Sequence, residues 1–165
     1  LSTATSSDAN SGTAGDVTLT VNDPAGSLAV GQIDTRSIVR PAGVGNASNG
    51  GNVTINVNGG NVTLNGEINL SSINTGTGDS ANAGNFTVNG AEALAINNSI
   101  TALASAATGT DGLGGTLLLY ADDTINQTAG TIAANALGDT PGTDATLTTA
   151  DSTLAAVITS NDLTL

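Results

Sequence analysis

The sequence predicts an all-β fold, a parallel β-helix (β-solenoid) of about five coils of 30–36 residues with three strands in each. Three observations carry this: an alternating phrase, its recurrence at a near-constant interval, and a column of isoleucines. The phrase is Gly51-Asn52-Val53-Thr54-Ile55-Asn56-Val57, with Val53, Ile55 and Val57 on one face and Asn52, Thr54 and Asn56 on the other. Strict period two is the pattern of a strand buried on one side. It recurs at residues 15–21 and 84–88 and, more weakly, at 115–119 and 145–149. With Val17, Val53, Phe86, Leu117 and Leu147 as anchors, the intervals are 36 (17 to 53), 33 (53 to 86), 31 (86 to 117) and 30 (117 to 147). Repeats of this length mean stacked units that bury their apolar faces only against each other.

Residues 1–14 are small and polar and match the last side and loop of a preceding coil. Coils then start near residues 15, 51, 84, 115 and 145, and the whole chain 1–165 is one domain. Each anchor strand is followed by a second apolar site: Leu28 and Val30, Val62 and Leu64, Leu94 and Ile96, Ile125, then Leu154 and Ala156. A third, shorter side carries Ile33, Ile68, Ile100, Ile132 and Ile158, the same β-branched residue in all five units. Such a residue packs well on copies of itself along a pleated wall. Residues 37–49, 73–83, 105–114 and 137–144 are left as variable loops that absorb the differences in repeat length. The Ala-rich stretch 91–107 is the best helix candidate, yet Leu94 and Ile96 keep the alternation and it is predicted as strand. The chain ends within a third side, at residues 158–165. At the inter-strand spacing, five coils make a rod about 20–25 Å long.

Composition fits a tube with a narrow core. Hydrophobic residues make up 38% of the chain, but there is one Phe, one Tyr and no Trp or Met, so the interior must be filled by Val, Ile, Leu and Ala. Glycine, at 22 residues, suits short strands joined by tight turns. The net charge of −12, with Arg36 and Arg40 the only cations, excludes nucleic acid and disfavours an anionic membrane surface. No apolar run reaches membrane-spanning length. With no Cys there is neither a disulfide framework nor thiolate chemistry. The chain opens on Leu1, with no initiator Met and no signal peptide, which predicts a processed product or an excised piece.

The phrase Gly51-Asn52-Val53-Thr54-Ile55, followed by Ile68-Asn69-Leu70-Ser71-Ser72, resembles the repeats of filamentous-haemagglutinin-like passengers of two-partner secretion systems, cyanobacterial ones in particular. The match spans Gly15 to about Ala102 well and the remainder loosely. The resemblance implies a right-handed β-helix, export from a Gram-negative bacterium to the cell surface or medium, and a role in adhesion or an extracellular fibre. That family's N-terminal secretion domain is not found in these residues. The partners it suggests are flanking coils of the same rod or a second copy, meeting at uncapped ends, and a host-surface or glycan ligand. A segment cut from a longer β-helix and a subunit stacking head to tail both fit.

Catalytic candidates are few. Without His or Cys, nucleophilic triads are excluded on inventory. Asp122-Asp123 is the one adjacent acidic pair, expected at the turn between first and second strands, where a solvated corner is the ordinary reading. No enzyme is predicted. Asp79, Asp111, Asp139 and Asp144 fall in the variable loops and could offer oxygen ligands to Ca²⁺, although ordinary turn aspartates look the same and the iterated Gly-Gly-x-Gly-x-Asp pattern is missing. No other cofactor is implied. An outward ladder of Thr18, Thr54, Thr87 and Thr148, broken by Leu118, makes an ice- or glycan-binding face the alternative to a structural role. Asp16, Asn52 and Asn85 at the strand entrance predict side-chain amides stacked along the rod.

Overall fold

The computed structural model describes residues 1–134 and, beyond them, the backbone of four strands: Ala145–Thr148, Asp151–Leu154, Ile158–Thr159 and Leu163–Thr164. Every element described is a strand and every strand pairing is parallel, so the chain is a β-solenoid of about four turns. Strand β1 (Thr5–Ser7) precedes the first coil, which contains β2 (Val17–Val21), β3 (Leu28–Val30), β4 (Ile33–Asp34) and β5 (Ser37–Val39). The second coil repeats this with β6 (Val53–Val57), β7 (Val62–Leu64), β8 (Ile68–Asn69) and β9 (Ser72–Asn74). In the third, anchor and second strands fuse into β10 (Phe86–Ile96), followed by β11 (Ile100–Thr101) and β12 (Ala104–Ala106). The fourth has β13 (Leu117–Gln127) and β14 (Ile132–Ala133), and β15 (Ala145–Thr148), β16 (Asp151–Leu154), β17 (Ile158–Thr159) and β18 (Leu163–Thr164) continue the stack.

Register follows the side chains. Val17, Val53, Phe86 and Leu117 are successive partners, and so are Ile33, Ile68, Ile100, Ile132 and Ile158. The fifth anchor departs from expectation: Ala145 lies opposite Leu117, and Leu147 lies two places on, opposite Leu119. A slip of two preserves the face of every side chain, so alternation alone cannot fix it. The outer ladder shifts likewise, with Thr146 opposite Leu118 and Thr148 opposite Tyr120. A second correction concerns the end of the chain. Leu163 and Thr164 do not extend the third side but pair with Ala145 and Thr146, at the start of a further anchor strand.

The expected loops are the largest difference. In each coil a glycine N–H closes the tube across its own coil: Gly51 to the Thr35 carbonyl at 2.9 Å, Gly84 to Leu70 at 2.8 Å and Gly115 to Ala102 at 2.9 Å. The residues between these closures form an arm outside the apolar tube, and the arm begins with a fourth strand. Strands β1, β5, β9 and β12 stack as a sheet of their own. The arm escapes a hydrophobicity reading because its interior mixes serines with few apolar residues: Ser11, Ser37, Ser72 and Ser80 are buried there with Val39, Ala47 and Ala104. Their hydroxyls satisfy the backbone, as where Ser72 donates to the Ser48 carbonyl at 2.8 Å and accepts from the Ala81 N–H at 3.0 Å.

The main core is the tube, filled by Val53, Ile55, Leu64, Ile68, Phe86, Leu94, Ile96, Ile100, Leu117 and Ile125. Aliphatic side chains fill this core around the single aromatic Phe86. Asp122 and Asp123 are not in a free turn but inside β13, where the register shifts between Ala121 (opposite Ala91) and Thr124 (opposite Ala93). The extra residue is a bulge that bends the strand around the tube's corner. Among the described residues no helix is long and apolar enough to cross a membrane.

Candidate functional site: a polar trough along the rod

Two ladders of short polar side chains run parallel to the rod axis at the edge where arm and anchor strand meet. In the first, Asp16 Oδ1 accepts the Asn52 backbone N–H at 2.7 Å. Asn52 Oδ1 accepts the Asn85 N–H at 2.9 Å, and Asn85 Oδ1 accepts the Thr116 N–H at 2.8 Å. In the second, Asn49 Oδ1 takes the Asn82 N–H at 3.1 Å and Asn82 Oδ1 the Leu113 N–H at 3.0 Å. The predicted side-chain stacking is seen between Asn52 Nδ2 and Asp16 Oδ1 at 3.2 Å, and in addition each side-chain oxygen binds the backbone of the next coil. Amide-to-amide contact occurs on other columns, from Asn89 to Asn56 at 3.0 Å and from Asn97 to Asn65 at 2.9 Å.

Between the ladders lies an open trough of about 680 Å³. Gly15, Gly50 and Gly114 are among its lining residues, and Gly51 and Gly84, next in the chain to the lining residues Gly50 and Ala83, are buried beside it. A Cβ on Gly51 would meet the Gly15 carbonyl oxygen at 2.3 Å, and one on Gly84 would meet that of Gly51 at 2.1 Å. Glycine is required here because successive turns touch through their main chains. An adjoining groove of about 340 Å³ is walled by Asp16, Asn52 and Asn85 on one side and by Thr18, Thr54 and Thr87 on the other. Thr18, Thr54 and Thr87 are successive partners and lie on the outer surface, so the Thr ladder is continuous for three coils. Exposed Leu118 follows in the same column and exposed Tyr120 lies two residues on.

Of the four loop aspartates, two can be placed. Asp79 belongs to a third ladder: Asn46 Oδ1 accepts the Asp79 N–H at 2.9 Å and Asp79 Oδ1 accepts that of Thr110 at 2.8 Å. Asp111 folds back to accept the Ala106 N–H. Asp139 and Asp144 lie outside the described residues. Among the described residues no three Asp, Glu, His or Cys side chains converge on a point that could hold a metal ion. In the third ladder the Asp79 carboxylate takes the place that a carboxamide takes at Asn46.

Charged contacts are sparse. Arg36 meets Asp34 through both oxygens, Nε to Oδ1 at 2.8 Å and Nη2 to Oδ2 at 2.7 Å. This fork holds the Asp34 carboxyl below its usual range and lifts Arg36 further, each against the opposing pull of partial burial. On the outer face of β13, the Tyr120 hydroxyl donates to Asp122, and that carboxylate raises the phenol's pKa. Sequence reasoning missed the second and third ladders. The signal was present in the recurring Asn46, Asn49, Asn82 and Asp79, but only the arm's own stacking gives those positions a register.

Comparison with protein family models, with curated proteins and with solved structures finds no match for this chain.

Proposed function

We propose that this chain is a non-catalytic structural segment of a secreted bacterial adhesin or extracellular fibre, a rod that stacks on further coils of its own kind. The observation that carries the reading is where the polar groups are spent. Asp16, Asn49, Asn52, Asn82 and Asn85 each bind the backbone one coil away, so their side-chain oxygens are committed to propagating the stack. The Ile33-to-Ile158 column supports it from inside, because any rung presents the same face to the next. At the β2–β3 edge, a groove of about 350 Å³ exposes part of Leu19 and Leu28, which another rung of the same type would cover. Export to the surface of a Gram-negative cell rests on the resemblance of the repeat.

The test is electron microscopy and sedimentation of the purified chain over a concentration series. Rods that lengthen with concentration are expected. Monodisperse short rods at high concentration would remove self-stacking and leave only a segment role.

A second reading, surface binding to ice or a glycan, is favoured by the groove that Thr18, Thr54 and Thr87 line. Freezing hysteresis equal to that of buffer eliminates its ice-binding form.

A further inference from the structure

The ladder geometry has a chemical by-product. A backbone N–H can only donate, so the atom of Asn49, Asn52, Asn82 and Asn85 that meets it must be the carboxamide oxygen. The NH₂ of each is therefore turned away from the ladder bond. Asn52 spends its own on Asp16 Oδ1 at 3.2 Å. Those of Asn49, Asn82 and Asn85 make no bond to any described residue, and all three side chains are exposed on the walls of the 680 Å³ trough. Thr116 adds a hydroxyl to the same wall. The result is a pair of fixed hydrogen-bond donors on one wall, Asn49 and Asn82, one coil spacing of about 4.8 Å apart, facing a third, Asn85, on the other.

We propose that this trough binds a linear, uncharged polysaccharide lying along the rod axis. This rests on the surface-binding reading but moves it from the Thr-lined groove to the adjoining trough and names a ligand class, and it does not depend on the rod's self-assembly. The donors call for a ligand rich in oxygen acceptors at regular intervals. A polyanion such as a sulfated glycan is disfavoured by the net charge of −12 and by Asp16 at one end of the trough. A peptide is disfavoured because the trough offers no free strand edge and, apart from Leu113, little apolar wall. With no aromatic platform each sugar is held weakly, and affinity comes from repetition over successive coils.

The ladders themselves supply the test. Asp16 and Asp79 show that a carboxylate accepts the same backbone N–H as an amide does. Asn82→Asp and Asn85→Asp therefore keep the ladder while replacing a donor with an acceptor. Thr116→Val removes a wall hydroxyl and leaves the Thr116 N–H in its ladder bond. Affinity electrophoresis against soluble linear β-glucans and mannans, with heparin as the charged comparison, measures binding. At least one neutral polymer is expected to retard the wild-type chain and heparin is not. Each variant should weaken retardation by roughly three- to tenfold, the loss of about one hydrogen bond, with circular dichroism still showing the folded strand spectrum. Retardation unchanged in all three folded variants, retardation by heparin at least as strong, or no retardation by any neutral polymer each overturns the proposal.

Discussion

Asn52 and Asn85 stand one coil apart, and the side-chain oxygen of the first accepts the backbone N–H of the second at 2.9 Å. That single contact links 33 residues of sequence (52 to 85) and recurs at the next step with Thr116. Replacing Asn52 with Ala removes it and also frees Asp16 Oδ1 from the amide. The cost is expected to be about 1 kcal/mol, because water can reach the orphaned N–H at this exposed wall. Asn52→Asp should cost less. A thermal melt in which Ala and Asp variants fall equally would mean that the ladder oxygen contributes nothing.

The buried glycines next to the trough predict a steeper effect. A Cβ at Gly84 would lie 2.1 Å from the Gly51 carbonyl oxygen, and main chain on both sides of the contact cannot move aside. Gly84→Ala should disrupt folding, seen as loss of soluble, strand-rich protein. Gly31, whose added Cβ meets nothing within 4 Å, provides the comparison, and Gly31→Ala should melt close to the wild type. The main-chain contact between coils would be less rigid than this if Gly84→Ala remained as stable as Gly31→Ala.

Inside the tube, Ile100 is fully buried between Ile68 and Ile132. Ile100→Val should cost about 0.5–1.5 kcal/mol and Ile100→Ala about 2–5 kcal/mol, with the cavity shared between neighbouring coils. Denaturant titration of both variants checks the order. Near-equal midpoints would show that the column is loosely packed.

This column was legible in the sequence because one residue type repeats at one position and its chemistry admits only a buried wall. The anchor column was legible up to Leu117, and failed at Ala145 because Leu147 offered a better apolar side chain on the same face. The arm was not legible at all. Its strands β5, β9 and β12 put Ser37, Ser72 and Ala104 inward, and small polar residues that bind backbone look like loop composition. The trough was half visible: the Asp16-Asn52-Asn85 series could be read, but its opposite wall belongs to the arm.

The ion pair gives a pH prediction. Asp34 has its pKa lowered in the folded chain, chiefly by the Arg36 hydrogen bond. The contribution is therefore present above the ordinary Asp value of 3.8 and is lost as pH falls through the depressed folded value. Arg36 is raised from an already high value and stays charged throughout this window. Since the Arg36 side chain is 32% exposed, the pair is worth at most about 1 kcal/mol. Asp34→Asn should lower the melting temperature at neutral pH and have little effect near pH 2. A deficit that is the same at both pH values assigns the loss to the mutation's packing instead.

Gln127 breaks the apolar pattern of its own column, where Val30, Leu64 and Ile96 precede it. It is buried, its Nε2 donates to the Gly130 carbonyl at 3.0 Å, and its Oε1 has no partner among the described residues. Burying an unsatisfied amide oxygen costs about 1–3 kcal/mol, whereas the one bond it does make returns about 1 kcal/mol. Gln127→Leu restores the column, exchanges the orphaned oxygen for methyl groups and leaves the Gly130 carbonyl at a half-exposed turn where water reaches it. The expected result is a gain of about 1 kcal/mol, or a few degrees in melting temperature for a chain of this size. A lower melting temperature in the Leu variant would mean that the bond to Gly130 holds the turn that returns the chain to β14, and that this polar intrusion is kept for the turn's sake.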